Sequence, residues 1–526
     1  MPLLSLIVFA PLLGALFVAI IPRENEGGLR RGAFLFSLLP FALSLYLLRE
    51  FDPSNPSFQF VEQARWLPAF GISYSVGIDG ISLFLVLLTT FLMPIVILAG
   101  WGDVHKRIKE YMIFLLLMET GMVGAFVATD LFLFYVFWEV MLIPMYFLIG
   151  IWGGERRIYA AMKLLLYTMF GSLLMLVAIL YVVWQHKAAT GELTFDLLRL
   201  YDFSLPLSAQ RWLFAAFALA FAIKVPMFPF HTWLPDAHTE APTGGSVILA
   251  GVLLKMGTYG FLRFAFPLFP LAAAEAMPYL AALAAIGIVY GALVCMIQPD
   301  MKRLVAYSSV SHLGFVMLGM AALNAEGIQG SIYQMLSHGL STGALFLAVG
   351  VIYERRHTRL ISEFGGLWQQ LPIYGGVFIV VMLSSVGLPG LNGFVGEFLI
   401  LLGAFKTYPI AAIAATSGVI LGAVYLLWMY ERVMLGPLTN PKNRDLRDLS
   451  VREILVFVPL IVMMFVMGLY PKPFLTRMEP TVDAYLTRLH QKMGHTATVN
   501  SQPLPLAPRL STVDPRPASE GHAEPS

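Results

Sequence analysis

Two lysines, Lys224 and Lys255, lie near the middle of apolar segments that are long enough to cross a membrane. A helix needs about 20 apolar residues to span a hydrocarbon core of about 30 Å, and a lysine at mid-depth cannot extend its ammonium back to bulk water. A charge at that depth costs at least about 2.5–3.5 kcal/mol and indicates a functional site. The two positions therefore predict a protein that moves ions.

Two carboxylates occupy comparable apolar surroundings. Glu139 lies in the segment FWEVMLIPMYFLIGIWGG, and Glu397 is the next-to-last residue of the segment GLPGLNGFVGEF. A carboxylate in such a place must be protonated, paired or in contact with water. We expect Glu139 to pair with Lys224, because together they lose most of their net charge and each changes the proton affinity of the other. A static ion pair that only fixes helix packing is the alternative.

Proline and glycine interrupt the two segments that carry Lys224 and Glu397. Pro226 and Pro229 follow Lys224 directly, and each removes a helix donor and clashes with the preceding turn. The second segment is broken before Glu397 by Gly387, Pro389, Gly390 and Gly393. Broken helices at membrane depth are tolerated where they line a cavity, and they recur at the ion sites of transporters. A simple proline kink is the alternative for the first break.

Four further titratable residues complete the candidate site. Histidine titrates near pH 6.5 and can relay protons in either direction. We therefore predict a relay that runs from Lys255 through His312 to Glu397, to which three other groups contribute: His338, Glu119 and His231. For each histidine, an ordinary buried residue with satisfied hydrogen bonds is the alternative.

Metal and redox cofactors are not expected in this chain. The cluster formed by His231, Asp236, His238 and Glu240 matches no zinc spacing. A single cysteine, Cys295, excludes a disulfide framework and a cysteine-ligated iron–sulfur cluster, and we interpret it as a small buried apolar residue. No glycine-rich nucleotide loop follows a predicted strand.

The composition of the 526-residue chain is that of a polytopic membrane protein. Its mean hydropathy is +0.75, 58% of its residues are hydrophobic and only 13% are charged, against about 25% charged residues in soluble domains. A net charge of +2 without a basic tract gives no sign of nucleic-acid binding. The apolar run near 3–21 lacks the flanks of a signal peptide and is expected to be a retained span.

The fold class predicted from these runs is all-α, with about 14 transmembrane helices. The expected spans are 3–21, 29–48, 79–101, 111–128, 131–151, 160–184, 212–235, 244–267, 279–298, 303–323, 330–353, 372–404, 409–433 and 453–471. Lys and Arg number 19 in the loops on one side and 7 in the loops on the other. The first side is therefore expected to be cytoplasmic, with both termini facing away from it.

The two interrupted spans, the seventh and the twelfth, are five apart in order, which is typical of inverted repeats. We therefore predict five units in the chain. They are helices 1–3 in 1–110, a first repeat of helices 4–8 in 111–268, a second, inverted repeat of helices 9–13 in 279–433, helix 14 with its flank in 434–490, and a disordered polar tail in 491–526.

Four stretches carry a resemblance to a known family. The Glu139 segment, KVPMFPFHTWLPDAHTEAPTGGSVILAGVLLKMGTYG, YSSVSHLGF and GLPGLNGFVGEF occur in this order. Over about residues 75–435 they resemble the antiporter-like membrane subunits of respiratory NADH:quinone oxidoreductase, complex I, which are related to the Mrp-type sodium/proton antiporter subunits. The resemblance implies that Glu139 and Lys224 form a coupled pair and that Lys255 and Glu397 belong to the proton path. A glutamate at position 397, where other branches carry lysine, points to the subunit M branch.

The resemblance also implies the setting of the chain. NADH, FMN, iron–sulfur clusters and quinone are expected in partner subunits, and the neighbours are L-like and N-like membrane subunits in a bacterial inner membrane. Redox chemistry there is expected to loosen the Glu139–Lys224 pair, so that Lys224 passes its proton to Lys255. An Mrp-type sodium/proton antiporter subunit and a non-conducting structural subunit are the alternatives.

Overall fold

A computed structural model of the chain describes residues 2–494, and helices dominate it. The helices are α1 Leu3–Ile20, α2 Glu26–Glu50, α3 Leu83–Asp103, α4 Ile108–Val127, α5 Leu131–Val140, α6 Leu142–Trp152, α7 Arg157–Thr190, α8 Leu197–Asp202, α9 Leu207–Lys224, α10 Trp233–Glu240, α11 Thr243–Ile248, α12 Leu254–Gly260, α13 Phe266–Leu268, α14 Pro270–Met296, α15 Met301–Ala321, α16 Ala325–Arg356, α17 Pro372–Val386, α18 Asn392–Thr407, α19 Pro409–Met434, α20 Val451–Leu469 and α21 Lys472–Lys492. The chain is thus a polytopic helical membrane protein, as its composition predicts.

Twelve helical segments within residues 2–494 are long and apolar enough to cross a membrane. They coincide with twelve of the fourteen predicted spans. The seventh and twelfth predicted spans are each interrupted by several non-helical residues between two helices. Helix α9 ends at Lys224 and α10 begins at Trp233, whereas α17 ends at Val386 and α18 begins at Asn392.

The interior of the bundle is formed by the span Thr243–Leu268 together with α15 and α16, whose apolar stretches are almost wholly buried. Helices α2, α19 and α20 lie at the periphery, and about two thirds of their apolar residues face outward. Polar groups on the central helices are therefore removed from lipid, and they can reach only one another, the backbone or internal water.

A β-hairpin between α2 and α3 is a feature that the sequence analysis did not predict. Strands β1 (Gln59–Leu67) and β2 (Ile72–Ile78) pair in an antiparallel manner. The turn requires glycine at position 71, because its φ is +68° and a Cβ there would lie 2.1 Å from the carbonyl oxygen of Leu193. Most residues of β1 are exposed and most of β2 are buried, so the hairpin lies on the surface of the bundle.

The amphipathic helix α21 follows the last span and was also not anticipated. It packs against α16 and α14. Its last two residues, Gln491 and Lys492, fall in the segment that we expected to be disordered, so the predicted tail begins too early. The remainder of that segment, 495–526, lies outside the described residues.

Candidate functional site

Lys255 lies at the centre of the most deeply buried span. Helix α12, which carries it, is flanked by two π-helical turns, Leu249–Leu253 and Phe261–Ala265. A π turn shifts the backbone hydrogen bonds by one residue and often marks a functional site. Here the carbonyl oxygen of Ala250, in the first π turn, accepts a hydrogen bond from Nζ of Lys255. The lysine is fully buried.

His338 is the side chain that receives the other hydrogen bond of Lys255. Nδ1 of His338, on α16, lies 2.6 Å from Nζ of Lys255. Nε2 of His338 is buried and has no hydrogen-bond partner among residues 2–494. The rings of His338 and His312 lie 5.8 Å apart, centroid to centroid. The two predicted relay histidines are thus neighbours, and His338 stands between Lys255 and His312.

Glu397 is the next group along the line. Its Oε1 lies 3.1 Å from Nδ1 of His312 and accepts a hydrogen bond of 3.0 Å from Nε2 of Gln334. The structure therefore brings four predicted residues into one buried row: Lys255, His338, His312 and Glu397. Gln334 was missed by the sequence analysis. The signal that could have revealed it is its spacing, one helical turn before His338 on α16.

The break before Glu397 is shaped by Gly387. This residue has a φ of +83°, and a Cβ on it would lie 2.9 Å from Oε2 of Glu397. The first residue of α18, Asn392, is held by hydrogen bonds of 2.5 Å from Ser384 and 3.1 Å to the carbonyl oxygen of Ser337. These polar contacts satisfy groups next to the broken helix and fix the position from which Glu397 points inward.

Lys224 and Glu139 do not form the expected contact pair. Lys224 takes part in none of the ion pairs within 4.0 Å between residues 2 and 494. Its Nζ lies instead over the indole ring of Trp138, 5.1 Å from the ring centroid, and cation–π attraction stabilises it there. Trp138 is the residue before Glu139, so the carboxylate still acts on the ammonium electrostatically. Oε1 of Glu139 is buried without a hydrogen-bond partner among the described residues.

Glu119 and His231 lie apart from this row. Both carboxyl oxygens of Glu119 are buried, and neither has a hydrogen-bond partner within residues 2–494. The ring of His231 packs against the rings of Phe228 and Tyr290, at centroid distances of 5.9 and 5.1 Å. Their roles as relay groups stay predictions.

His238 is a buried histidine that the sequence analysis considered only as a metal ligand. Its ring stacks on Phe346 at 4.5 Å, and the charges of Lys302 and Lys255 act on it. Nζ of Lys302 donates to the carbonyl oxygen of Ala241, close to the end of α10. In the part of the chain that the structure describes, no group of three His, Cys, Asp or Glu residues could hold a metal.

The row has the chemistry of a proton conductor. An ammonium donates a proton to an imidazole nitrogen, an imidazole can accept at one nitrogen and donate from the other, and a carboxylate accepts at the end. Lys255, His338 and Glu397 are each at most 5% exposed, so a proton that enters the row is shielded from both membrane surfaces.

Comparisons with known proteins show the family of the chain. Residues 128–422 match a family described as NADH:quinone oxidoreductase/Mrp antiporter, TM, and residues 33–125 match one described as NADH-ubiquinone oxidoreductase chain 4, amino terminus. The NADH-quinone oxidoreductase subunit M of Rhodobacter capsulatus is 48% identical over 504 residues, which cover 94% of this chain and 98% of that protein. The chain belongs to the NADH-quinone oxidoreductase subunit M family.

Two solved structures, one of complex I and one of an Mrp complex, contain chains with a similar fold. A chain of respiratory complex I from Thermus thermophilus with bound NADH aligns with a TM-score of 0.84 and 35% identity, covering 93% of this chain and all of that one. A chain of the Mrp complex from a Dietzia species aligns with a TM-score of 0.80 at 21% identity, over 93% of this chain and all of that one. The second likeness shows that the two share a fold. The subunit M family, rather than the Mrp branch, is the group to which the sequence is similar throughout.

Proposed function

We propose that this chain translocates protons across the membrane as subunit M of an NADH-quinone oxidoreductase. The observation that carries the proposal is the buried row of Lys255, His338, His312 and Glu397, whose members are linked by short hydrogen bonds at both ends and a histidine–histidine contact between them. A stable core needs no such row, because apolar residues of similar volume pack at lower cost.

Proton transfer along the row follows from the donor and acceptor atoms. The ammonium of Lys255 gives a proton to Nδ1 of His338. Nε2 of His338 and Nε2 of His312 have no hydrogen-bond partner among residues 2–494, so the proton on Nε2 of His338 passes to Nε2 of His312 through water between the two rings. His312 then delivers a proton from Nδ1 to the carboxylate of Glu397. One proton enters and one reaches the glutamate. Each ring afterwards exchanges its tautomer, and Lys255 is neutral until a new proton arrives.

Lys224 is the group that reloads Lys255. When the Glu139 carboxylate lies close to the Lys224 ammonium, it stabilises the positive charge. When the two side chains separate, Lys224 releases its proton more readily. The position of Lys224 over Trp138, outside contact distance of Glu139, supports a pair that can loosen. Moving one charge against 100 mV costs about 2.3 kcal/mol, and a change of one pKa unit corresponds to about 1.4 kcal/mol. A change of less than two pKa units in Lys224 therefore suffices to move one charge against this potential.

The redox chemistry is assigned to partner subunits, which carry NADH, FMN, iron–sulfur clusters and quinone. This chain contacts other membrane subunits, L-like and N-like, and lies in a bacterial inner membrane with both termini on the non-cytoplasmic side. The two inverted repeats at 111–268 and 279–433 belong to the same proposal. In it they supply Lys224 and Lys255 from the first repeat and His312, His338 and Glu397 from the second.

A sodium/proton exchanger of the Mrp type is the second candidate, favoured by the shared fold. The experiment that separates the two uses native membrane vesicles with Glu139→Ala, assayed for NADH-driven quinone reduction and for proton uptake. We expect both to fall while the complex assembles normally. Glu155→Ala, in an exposed loop, is the matched control and should change neither. If both activities survive and sodium/proton exchange is lost, the chain functions as a sodium/proton exchanger of the Mrp type.

A further inference from the structure

A cavity of about 190 Å³, with several charged side chains in its wall, lies beneath helix α21 and outside the proton path. We name it the α21 cavity. Its wall includes Asp79, Tyr201, Arg263, Tyr485, Arg488 and Lys492. It is therefore bounded by the residues before α3, by the end of the span Thr243–Leu268 and by one face of α21.

The α21 cavity lies at the level of the membrane surface. Asp79 precedes the start of α3 at Leu83, and Arg263 lies near the end of a span that finishes at Leu268. Helix α21 begins just after the last span ends at Leu469. Two span ends thus lie at the cavity, the second half of α21 forms its remaining wall, and lipid headgroups occupy the level of span ends in a bilayer.

The negative charge within the α21 cavity is already neutralised. Oδ1 of Asp79 lies 2.6 Å from Nη2 of Arg263 and also accepts hydrogen bonds of 3.1 Å from the backbone N–H groups of Ile81 and Ser82. Arg263 is positioned further by Tyr259, whose hydroxyl lies 3.1 Å from Nε. The charges of Asp79 and Arg263 therefore neutralise each other, and their ion pair links two parts of the cavity wall.

The cations from α21 have no comparable partner. Arg488 and Lys492 are in none of the ion pairs within 4.0 Å among residues 2–494. The guanidinium of Arg488 lies over the ring of Tyr201, 5.7 Å from its centroid, and Asp202 is the acid whose charge acts on Lys492. The hydroxyl oxygen of Tyr485 is enclosed without a hydrogen-bond partner in the same range. The wall of the cavity thus carries two cations outside ion pairs, and behind it lies a buried hydroxyl without a hydrogen-bond partner among residues 2–494.

We propose that the α21 cavity binds the phosphate group of an anionic phospholipid. The two non-bridging oxygens of a phosphodiester share one negative charge; a guanidinium binds both at once, and an ammonium and a phenol can each donate to one of them as well. Arg488, Lys492 and Tyr485 supply these three groups. The single negative charge of the phosphodiester, together with that of Asp202 beside Lys492, offsets the two cations.

An apolar groove beside the α21 cavity favours a lipid over a soluble anion. The groove has a volume of about 240 Å³, and its lining is almost entirely apolar. Residues of α2, α3, α16, α20 and α21 line the groove, and in it the rings of Phe84 on α3 and Phe474 on α21 lie 5.1 Å apart, centroid to centroid. Ile81, three residues before Phe84, lines the α21 cavity. A headgroup in the cavity therefore has a place for an acyl chain within reach.

The test is a lipid titration of the purified, delipidated complex, with bound lipid counted by native mass spectrometry of this subunit. The probes are phosphatidylglycerol, phosphatidylcholine of the same chain length and inorganic phosphate. We expect one tightly retained phosphatidylglycerol, and about a tenfold loss of affinity for each of Arg488→Gln and Lys492→Gln. Lys472→Gln, on the same helix but outside the cavity, is the matched control and should retain the lipid.

Each outcome decides the proposal. Displacement of the lipid by millimolar inorganic phosphate supports the anion site with a soluble ligand in place of a lipid. Equal binding of phosphatidylcholine overturns the requirement for an anionic headgroup. Unchanged phosphatidylglycerol binding in the double variant Arg488→Gln, Lys492→Gln overturns the site itself. Because neither residue belongs to the proton row, NADH-driven quinone reduction should persist and report that the complex is intact.

Discussion

Nζ of Lys255 and Nδ1 of His338 lie 2.6 Å apart, although 83 residues separate them in the chain. The first is on the span that follows one broken helix, and the second is on α16, which packs against the other broken segment through α18. If the chain consists of the two proposed repeats, this contact joins the first repeat to the second. In the proposed function it is the point at which a proton leaves one half and enters the other.

Replacing Lys255 by arginine tests whether this residue must release its proton, because the variant keeps the positive charge. Arginine keeps a cation at the centre of the bundle but cannot be deprotonated in a protein. We expect Lys255→Arg to abolish proton uptake by vesicles as completely as Lys255→Met does. The measurement is proton uptake per NADH oxidised, with assembled complex quantified on native gels. Normal pumping by Lys255→Arg would show that the lysine does not release its proton during turnover.

Gln334 is expected to act as a positioning residue for Glu397. Gln334→Leu removes a hydrogen bond to a charged acceptor, which is worth about 1.5–3 kcal/mol, so proton transfer should slow by at least about tenfold. The pH profile of pumping should shift as well, since one of two donors to Oε1 is lost. Gln369→Leu, at an exposed site, serves as the control. An unchanged pH profile would reduce Gln334 to a packing role.

Gly387 tests whether the break before Glu397 matters. Gly387→Ala places a residue with a side chain in the left-handed region, at a cost of about 1–2 kcal/mol, and moves Oε2 of Glu397. We expect reduced proton uptake with near-normal assembly. Gly376→Ala, on the preceding helix, meets no atom within 4 Å and should behave as the unmodified protein. Equal activities of the two variants would argue that the break is only a packing feature.

The Asp79–Arg263 pair is expected to stabilise the subunit. Arg263→Ala leaves a buried carboxylate without its cation, and loss of one partner of such a pair costs about 3–5 kcal/mol. The amount of assembled subunit in membranes should fall sharply, and Asp79→Asn with Arg263→Gln should restore part of it. Arg211→Ala breaks an exposed pair with Glu275 and should have little effect. Normal assembly of Arg263→Ala would contradict the assignment.

The sequence by itself determined the membrane class, the helical ranges and most of the proton row. Hydrophobic runs and the cost of buried charge are local properties, so Lys255, His338, His312 and Glu397 could be selected without coordinates. Proline and glycine likewise predicted where helices α9 and α17 end, because both act through the local backbone.

Only the tertiary structure decided which groups touch. It put His338 rather than His312 next to Lys255, moved Lys224 onto Trp138 and brought Gln334 to Glu397. Such contacts depend on how helices rotate and pack, which hydrophobic periodicity does not fix when a helix is apolar on all sides. The hairpin and the α21 cavity escaped notice for a related reason. Their polar groups lie outside the long apolar runs, and their partners are distant in the chain.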